Sequence, residues 1–398
     1  MKGADMANKP LAAIAGIGWT DYTRNSGRSV ESLALEACHN ALADAGLPVE
    51  KVDGLASFNL GDSVVTSVVA TDLGLPKLNH YADFSAGGFM ACGVMVEAAM
   101  AVSAGLADYV LVYRALNGAS GQRYGGFEFS RMLAEHGVHT DAEQQFLDTA
   151  GITMPAQEFA LLCRLHMQKY GTTTDDLAAV AMSGRANAID NPRAQMRKPM
   201  SLEDYQNSRW VAEPFRVFDC CLQTDGACAL LVTSVERAQD LKKAPVDILT
   251  GFTATGPRNR GSMWGNFNID PTTTYAEFHA DRLFSRAGIG RDDLDFAQIY
   301  DCFTYSIIGQ MEGFGLIDRG GAGDFFRSGA GRINGRLPIN THGGLLSEGY
   351  IHGLNSVVEA VSQLRGEAGP RQVKDAELGL VTAGGATQTG SAVILGRH

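Results

Sequence analysis

Short apolar runs bounded by glycine or polar residues alternate along this chain with longer stretches of helical period. Leu11–Gly18, His80–Phe84 and Tyr109–Tyr113 read as buried strands. Ser29–Ala45 reads as an amphipathic helix, capped by Ser29 and with Glu31 in its first turn. A further helix is predicted from about Ala86 to Ala104. Asp225–Ser234 returns to a strand, and Leu241–Pro245 resembles a linker. Beyond it come a strand at Val246–Phe252, a helix at Thr274–Ala287 and a strand at Phe296–Tyr300. A helix at His352–Arg365 and two closing strands, Leu378–Ala383 and Ser391–Gly396, complete the chain. Such alternation predicts a layered α/β fold.

Between Asn117 and about Val211 the rhythm breaks, with helical stretches only at Phe159–Tyr170 and Thr174–Ile189. An insertion of that length in a compact fold is usually functional. Val96-Glu97-Ala98 and Val358-Glu359-Ala360 each sit in a helix that follows a glycine-rich turn. This weak echo hints at a duplicated unit, dividing the chain into residues 1–243, with the insertion at about 117–211, and 244–398.

At 398 residues the chain is longer than one hydrophobic core usually serves, which agrees with two core units. No apolar run approaches the ~18 residues of a membrane span, and Met1–Pro10 lacks the apolar segment of a signal peptide. The expectation is a cytoplasmic protein with no membrane partner. A net charge of -11 argues against a nucleic-acid partner, which needs a basic face. Seven cysteines, among them the adjacent Cys220 and Cys221, lack metal-ligand spacing, so reduced thiols and no metal site are expected.

Four segments in order resemble the thiolase superfamily, especially its sterol-carrier-protein branch. Asp83-Phe84-Ser85-Ala86-Gly87-Gly88-Phe89 and the helix after it resemble the turn that carries the acylated cysteine. Tyr300-Asp301-Cys302-Phe303 is similar to the family's NEAF or HDCF box. Gly343-Gly344-Leu345-Leu346-Ser347-Glu348-Gly349-Tyr350 is similar to the glycine run ending in GHP, and Thr382-Ala383-Gly384-Gly385-Ala386 to the C-terminal CxG loop. The resemblance implies a thiolase fold of two similar αβαβα-layered halves.

The departures carry the chemistry. Ser85 (or Phe84, counting back from Gly87–Gly88) stands where the nucleophile belongs, Tyr350 replaces the GHP histidine, Tyr300 the Asn or His of the second box, and Ala383 the second cysteine. Acyl transfer needs a thiolate and a base to activate it, and neither is present at these positions. Two tyrosines at two catalytic positions resemble instead the thiolase-like aldolases of bacterial steroid side-chain degradation. That resemblance implies retro-aldol cleavage of a β-hydroxyacyl-CoA, such as a 17-hydroxy steroid carboxyl-CoA, to a ketosteroid and propionyl-CoA. No acyl-enzyme and no cofactor is needed. A phenol, with an ordinary pKa of about 10, suits proton exchange with an alcohol. Tyr350 is expected to take the hydroxyl proton and Tyr300 to protonate or hydrogen-bond the enolate, or the reverse.

Ser85, Gly343, Gly344, Gly384 and Gly385 are candidates for binding the thioester, with backbone amides near Ser85 and Gly384–Gly385 as oxyanion donors. His342, His352 and Asp301 are candidate accessory groups. The plain alternatives are core tyrosines with satisfied hydroxyls, a helix-capping Ser85 and glycines serving tight turns. Two rival functions stand beside the lyase: a catalytically silent acyl-CoA-binding or scaffold subunit, and an acyltransferase using Ser85. The resemblance also implies a homodimer and a partner, an OB-fold with a zinc ribbon belonging to an acyl-CoA hydratase subunit, in a two-to-two heterotetramer. Glycine-rich segments such as Asp318–Gly331 are the expected docking surface.

Overall fold

The computed structural model describes residues 9–121, 147, 149–257 and 270–398; the part of the insertion at 122–146 and 148 lies outside them. Nine strands form the main sheet: β1 (Ala12–Trp19), β2 (Gly54–Asn59), β3 (His80–Ser85), β4 (Tyr109–Asn117), β5 (Asp225–Thr233), β6 (Val246–Thr255), β7 (Phe296–Gln298), β8 (Leu378–Ala383) and β9 (Thr389–Arg397). Their order in space is β3-β2-β4-β5-β1-β6-β9-β8-β7.

The centre of this order is a seam where Ala12–Ile14 of β1 pairs antiparallel with Val246–Ile248 of β6. Outward from the seam, the same pairing senses recur on both sides. β1–β5 and β6–β9 are antiparallel, β5–β4 and β9–β8 are antiparallel, and β4–β2 and β8–β7 are parallel. One strand pattern is thus used twice.

Helices sort into layers by which strand face they cover. α1 (Val30–Ala45) starts at Ser29, whose hydroxyl accepts from the Ser32 amide at 3.1 Å, and ends at Gly46 with φ +70°. Its Ala34, Ala37 and Ala41 pack on Ala13, Leu111 and Ala229 of the first repeat. On the second repeat, α5 (Tyr275–Ala287) sets Ala280, Leu283 and Phe284 against Leu380 and Ile394; Thr274 and Glu277 close its first turn. Between the two repeats lie α2 (Ala91–Ser103) and α8 (Leu354–Leu364). Met95, Val102, Val357 and Val361 meet inward residues of both repeats, among them Val112, Leu230, Val381 and Val393. The result is five layers: helix, one half of the sheet, helix, the other half of the sheet, helix. Full burial of each such Val or Leu contributes about 1.5–3 kcal/mol.

The insertion contributes α3 (Pro155–Tyr170) and α4 (Thr174–Ala188). α6 (Thr304–Gly313) is buried along its whole length, and α7 (Gly344–Ser347) is a single turn. The stretch Asp318–Gly331 carries a short helix, Ala322–Arg327, whose Phe325 and Phe326 are buried and whose Arg327 pairs with Asp176 of α4. No helix among the described residues is long and apolar enough to cross a membrane.

Two boundaries differ from the sequence reading where backbone is diverted toward the centre of the molecule. β7 stops at Gln298, not Tyr300, because the side chain of Asn340 replaces a neighbouring strand: it accepts from the Ile299 amide at 2.7 Å and donates to the Ile299 carbonyl at 2.9 Å. α8 begins at Leu354, not His352, because His352 (φ +49°) and Gly353 (φ +88°) are both left-handed.

Candidate active site

Leaving the sheet at Ile299 turns Tyr300 toward the gap between the repeats. Its amide donates to Thr382 Oγ1 at 3.1 Å, and its carbonyl accepts from Gln310 of α6 at 2.7 Å. Tyr350 arrives from the glycine-rich loop, which is anchored by a buried hub. Glu348 accepts from Asn191, Arg193 and Asn355, each within 2.9 Å, and the Tyr350 amide donates to Thr224 Oγ1 at 2.8 Å. The two phenol oxygens meet at 2.9 Å, with rings inclined at 66°.

The ring of Tyr300 occupies a slot made by two glycines. A β-carbon on Gly88, in the turn after β3, would come within 1.9 Å of its hydroxyl, and one on Gly353 within 2.8 Å of its ring. Both phenols open onto a cavity of about 310 Å³. Its walls are mostly apolar, with Phe89, Leu116, Met154, Phe159, Val211 and Phe303 among them; Asp62 is the one carboxylate or cation among the described lining residues. The described lining includes no histidine or lysine that could activate a nucleophile.

Behind Tyr350 stands a charged array that the sequence reading did not single out beyond His352. The His352 and Tyr350 rings are perpendicular, 4.9 Å apart. Arg114, fully buried on β4, donates to His352 Nδ1 from Nε at 3.1 Å and from Nη2 at 2.8 Å, and reaches both oxygens of Asp62 at 2.8 and 2.7 Å. Burial and the facing guanidinium push His352 down to about 3, against the pull of Asp62. Burial alone would raise Asp62; Arg114 overrides it and holds the carboxyl below its ordinary range. A lone arginine in the apolar run Tyr109–Asn117 was the available signal, since a charge is buried only with a partner.

The other expected residues separate. Ser85 is exposed at the end of β3, and the cavity takes Gly88 and Phe89 from this turn instead. Gly384 lines the cavity; Gly385, Gly343 and Gly344 are not among its lining residues. A β-carbon on Gly343 would strike Ala188 of α4 at 2.4 Å and one on Gly344 would strike the Asp301 carboxylate at 2.0 Å, so close packing against these two residues accounts for both glycines. Asp301 accepts from the Leu345 and Leu346 amides at 2.8 and 3.3 Å and so braces α7; burial pushes it up to about 8 against those donors. His342 is buried in the Glu348 hub beside Gln298, away from the phenols, and burial lowers it. Cys220, Cys221 and Cys302 do line the cavity. Burial raises all three thiols, Cys302 to about 12, which keeps them protonated.

Comparison with known proteins identifies the family and the fold. The family described as thiolase C-terminal domain-like matches residues 267–397. The 17-hydroxy-3-oxo-4-pregnene-20-carboxyl-CoA lyase of Mycobacterium tuberculosis is 42% identical over 388 residues, 97% of this chain and 99% of that protein. The chain belongs to the thiolase superfamily, in its aldolase branch. A second member of that branch, the steroid side-chain-cleaving aldolase of Thermomonospora curvata, is 41% identical over 97% of each chain. A solved structure, the Ltp2-ChsH2(DUF35) aldolase, superposes with a TM-score of 0.90 at 39% identity, over 98% of this chain and 99% of that one. The layered architecture is the thiolase fold.

Proposed function

We propose that this thiolase-superfamily protein is a retro-aldolase that cleaves a 17-hydroxy steroid carboxyl-CoA into a 17-ketosteroid and propionyl-CoA. The observation that carries the reading is the pair of phenol oxygens at 2.9 Å in a mostly apolar cavity with no histidine or lysine among its described lining residues. The names of the relatives supply the steroid and the CoA thioester.

The steps balance without a covalent intermediate. The Tyr350 oxygen takes the proton of the substrate hydroxyl while handing its own to Tyr300, as the bond between the carbinol carbon and the α-carbon breaks. The alkoxide becomes the ketone, and the bonding electrons form the thioester enolate. Tyr300, receiving the Tyr350 proton, gives its own to the α-carbon. The cycle ends with both phenols as they began, and it calls on no cofactor. Gly88 and Gly384 line the cavity, and backbone amides beside them would serve as donors to the enolate oxygen. The reverse assignment of the two tyrosines balances equally; a substrate-bound structure separates them.

The partner and location extend the same reading. The solved Ltp2 aldolase is named together with a second component, ChsH2(DUF35). We infer that this chain likewise works as a homodimer with an OB-fold and zinc-ribbon domain of an acyl-CoA hydratase subunit, two to two. Seven unpaired cysteines suit a reducing, cytoplasmic site of action. The deciding experiment incubates the 17-hydroxy steroid carboxyl-CoA with the chain, alone and co-expressed with its partner, and follows propionyl-CoA. Release of free CoA or formation of an acyl-enzyme, in place of a ketone, would overturn the proposal.

A further inference from the structure

We propose that Asp62 and Arg114 are positioning residues that hold His352 as a neutral imidazole with its proton on Nε2, a fixed wall beside Tyr350 that keeps proton traffic on the two phenols. The proposal rests on the retro-aldol reading for its purpose, but on geometry alone for the state of the imidazole.

A guanidinium has five N–H donors and no acceptor, so both contacts from Arg114 to His352 Nδ1 require a lone pair on that nitrogen. A neutral imidazole with a lone pair on Nδ1 carries its proton on Nε2. Protonating Nδ1 as well would set an N–H against the buried cation. Among the described residues, the charged and titratable groups facing His352 include Arg114 on β4, Asp62 from the loop after β2 and Tyr350 two residues before it, with Tyr300 beyond Tyr350 across the phenol pair. Phe58 of β2 stacks on the imidazole at 6.1 Å and also lies under the Arg114 guanidinium at 5.2 Å, so one aromatic face aligns both. Asp62 completes the array by fixing Nη2 with both carboxylate oxygens. The left-handed backbone of His352 is a strained conformation that the surroundings impose.

The charge arithmetic gives the reason for an arginine here. Without Arg114, His352 would face the Asp62 carboxylate, which favours the imidazolium. A cation against Tyr350 would stabilise its phenolate and make it a weaker base. Arg114 removes that state and turns a histidine, normally the group most ready to titrate near neutral pH, into an inert one.

The test has two arms. In the full-length chain labelled with ¹⁵N-histidine, the His352 signals, assigned by their loss in His352→Gln, are expected to remain those of the neutral Nε2–H tautomer from pH 8 to pH 5. An imidazolium forming above pH 5, or an Nδ1–H tautomer, would overturn the proposal. In the cleavage assay, Arg114→Leu is expected to acquire an acidic limb in kcat/KM near the ordinary histidine pKa of about 6.5, losing about tenfold between pH 7.5 and pH 5.5. The same limb should vanish in Arg114→Leu combined with His352→Phe. A limb that survives the double change, or a folded Arg114→Leu with the wild-type profile, would sink it. Should Arg114→Leu not fold, the tautomer measurement on the wild-type chain decides alone. Absence of any steroid cleavage, with the tautomer as expected, would refute the retro-aldol reading and leave the assignment of His352 intact.

Discussion

The hydroxyl of Tyr300 stands in the space that a side chain on Gly88 would fill: a β-carbon there would lie 1.9 Å from it. The turn after β3 resembles the one that carries the acylated cysteine in thiolases, and here it offers bare backbone. A phenol from the opposite repeat takes the vacated volume. The two positions are therefore coupled: Gly88 cannot gain a side chain while Tyr300 keeps its place.

Gly88→Ala should accordingly lower kcat/KM on the order of a hundredfold, because Tyr300 must shift by about 1 Å. Steady-state kinetics with a crystal structure of the variant check this. Wild-type turnover with Tyr300 unmoved would show that the close contact has no catalytic meaning. Gly88→Cys should not create acyl transfer, since the phenol occupies the place of the new thiol.

Removing either hydroxyl tests the proton path. Tyr300→Phe and Tyr350→Phe should each reduce kcat by about 10²–10⁴, with melting temperature nearly unchanged. The double variant should be little worse than the weaker single one, because groups that act as a unit are not additive. Two singles whose losses multiply in the double variant would show that the phenols act independently.

The cavity cysteines should prove dispensable as chemistry and awkward as bulk. Cys302→Ser is expected to keep most activity, since burial holds the thiol protonated at a pKa of about 12. Iodoacetamide should react slowly at pH 7.5; any inactivation should come from filling the cavity and disappear in Cys302→Ser or Cys221→Ser. Loss of turnover in a folded Cys302→Ser would give sulfur a role in the reaction. Ser85→Ala, altering an exposed residue outside the cavity lining, should leave turnover nearly intact.

Acid should attack the buried hub. Burial would raise Glu359, yet Arg371 at 2.9 Å and Arg193 at 2.8 Å overcome it and hold the carboxyl at about 2. A folded pKa below the unfolded value of about 4.3 stabilises the folded state above that pH and is lost as pH falls toward 2. The shift corresponds to about 3 kcal/mol. Urea melts from pH 7 to pH 2.5 should show the wild type losing stability more steeply than Glu359→Gln. Parallel pH dependence in the two proteins would remove Glu359 from the account.

Much of the layered fold was legible because strands buried on both faces read as plain apolar runs, and because Ser29 and Thr274 sit where helix caps belong. What escaped was of two kinds. Helix α6 is buried all round, so it shows no amphipathic period, and strand β2 hides behind a glycine and Ser57. Tyr300 and Tyr350 came from the family resemblance; their meeting did not, since it depends on Asn340 ending β7 early. The sequence reading singled out Ser85, or Phe84 counting back from Gly87–Gly88, in the turn after β3; that turn lines the cavity with Gly88 and Phe89, and glycine leaves no side chain for a sequence to advertise. Asp62 and Arg114 lie 52 positions apart, and only the parallel pairing of β2 with β4 brings them together.

The placement of α2 and α8 between the repeats has a consequence for how the chain can be divided. Each inner helix covers strands of both repeats, so a fragment cut near residue 243 would bare about half of what its own helix was made to cover. Neither piece would be a domain in the operational sense of folding by itself. A duplicated ancestor of a single repeat would have met the same difficulty, and two copies clasped face to face would have relieved it.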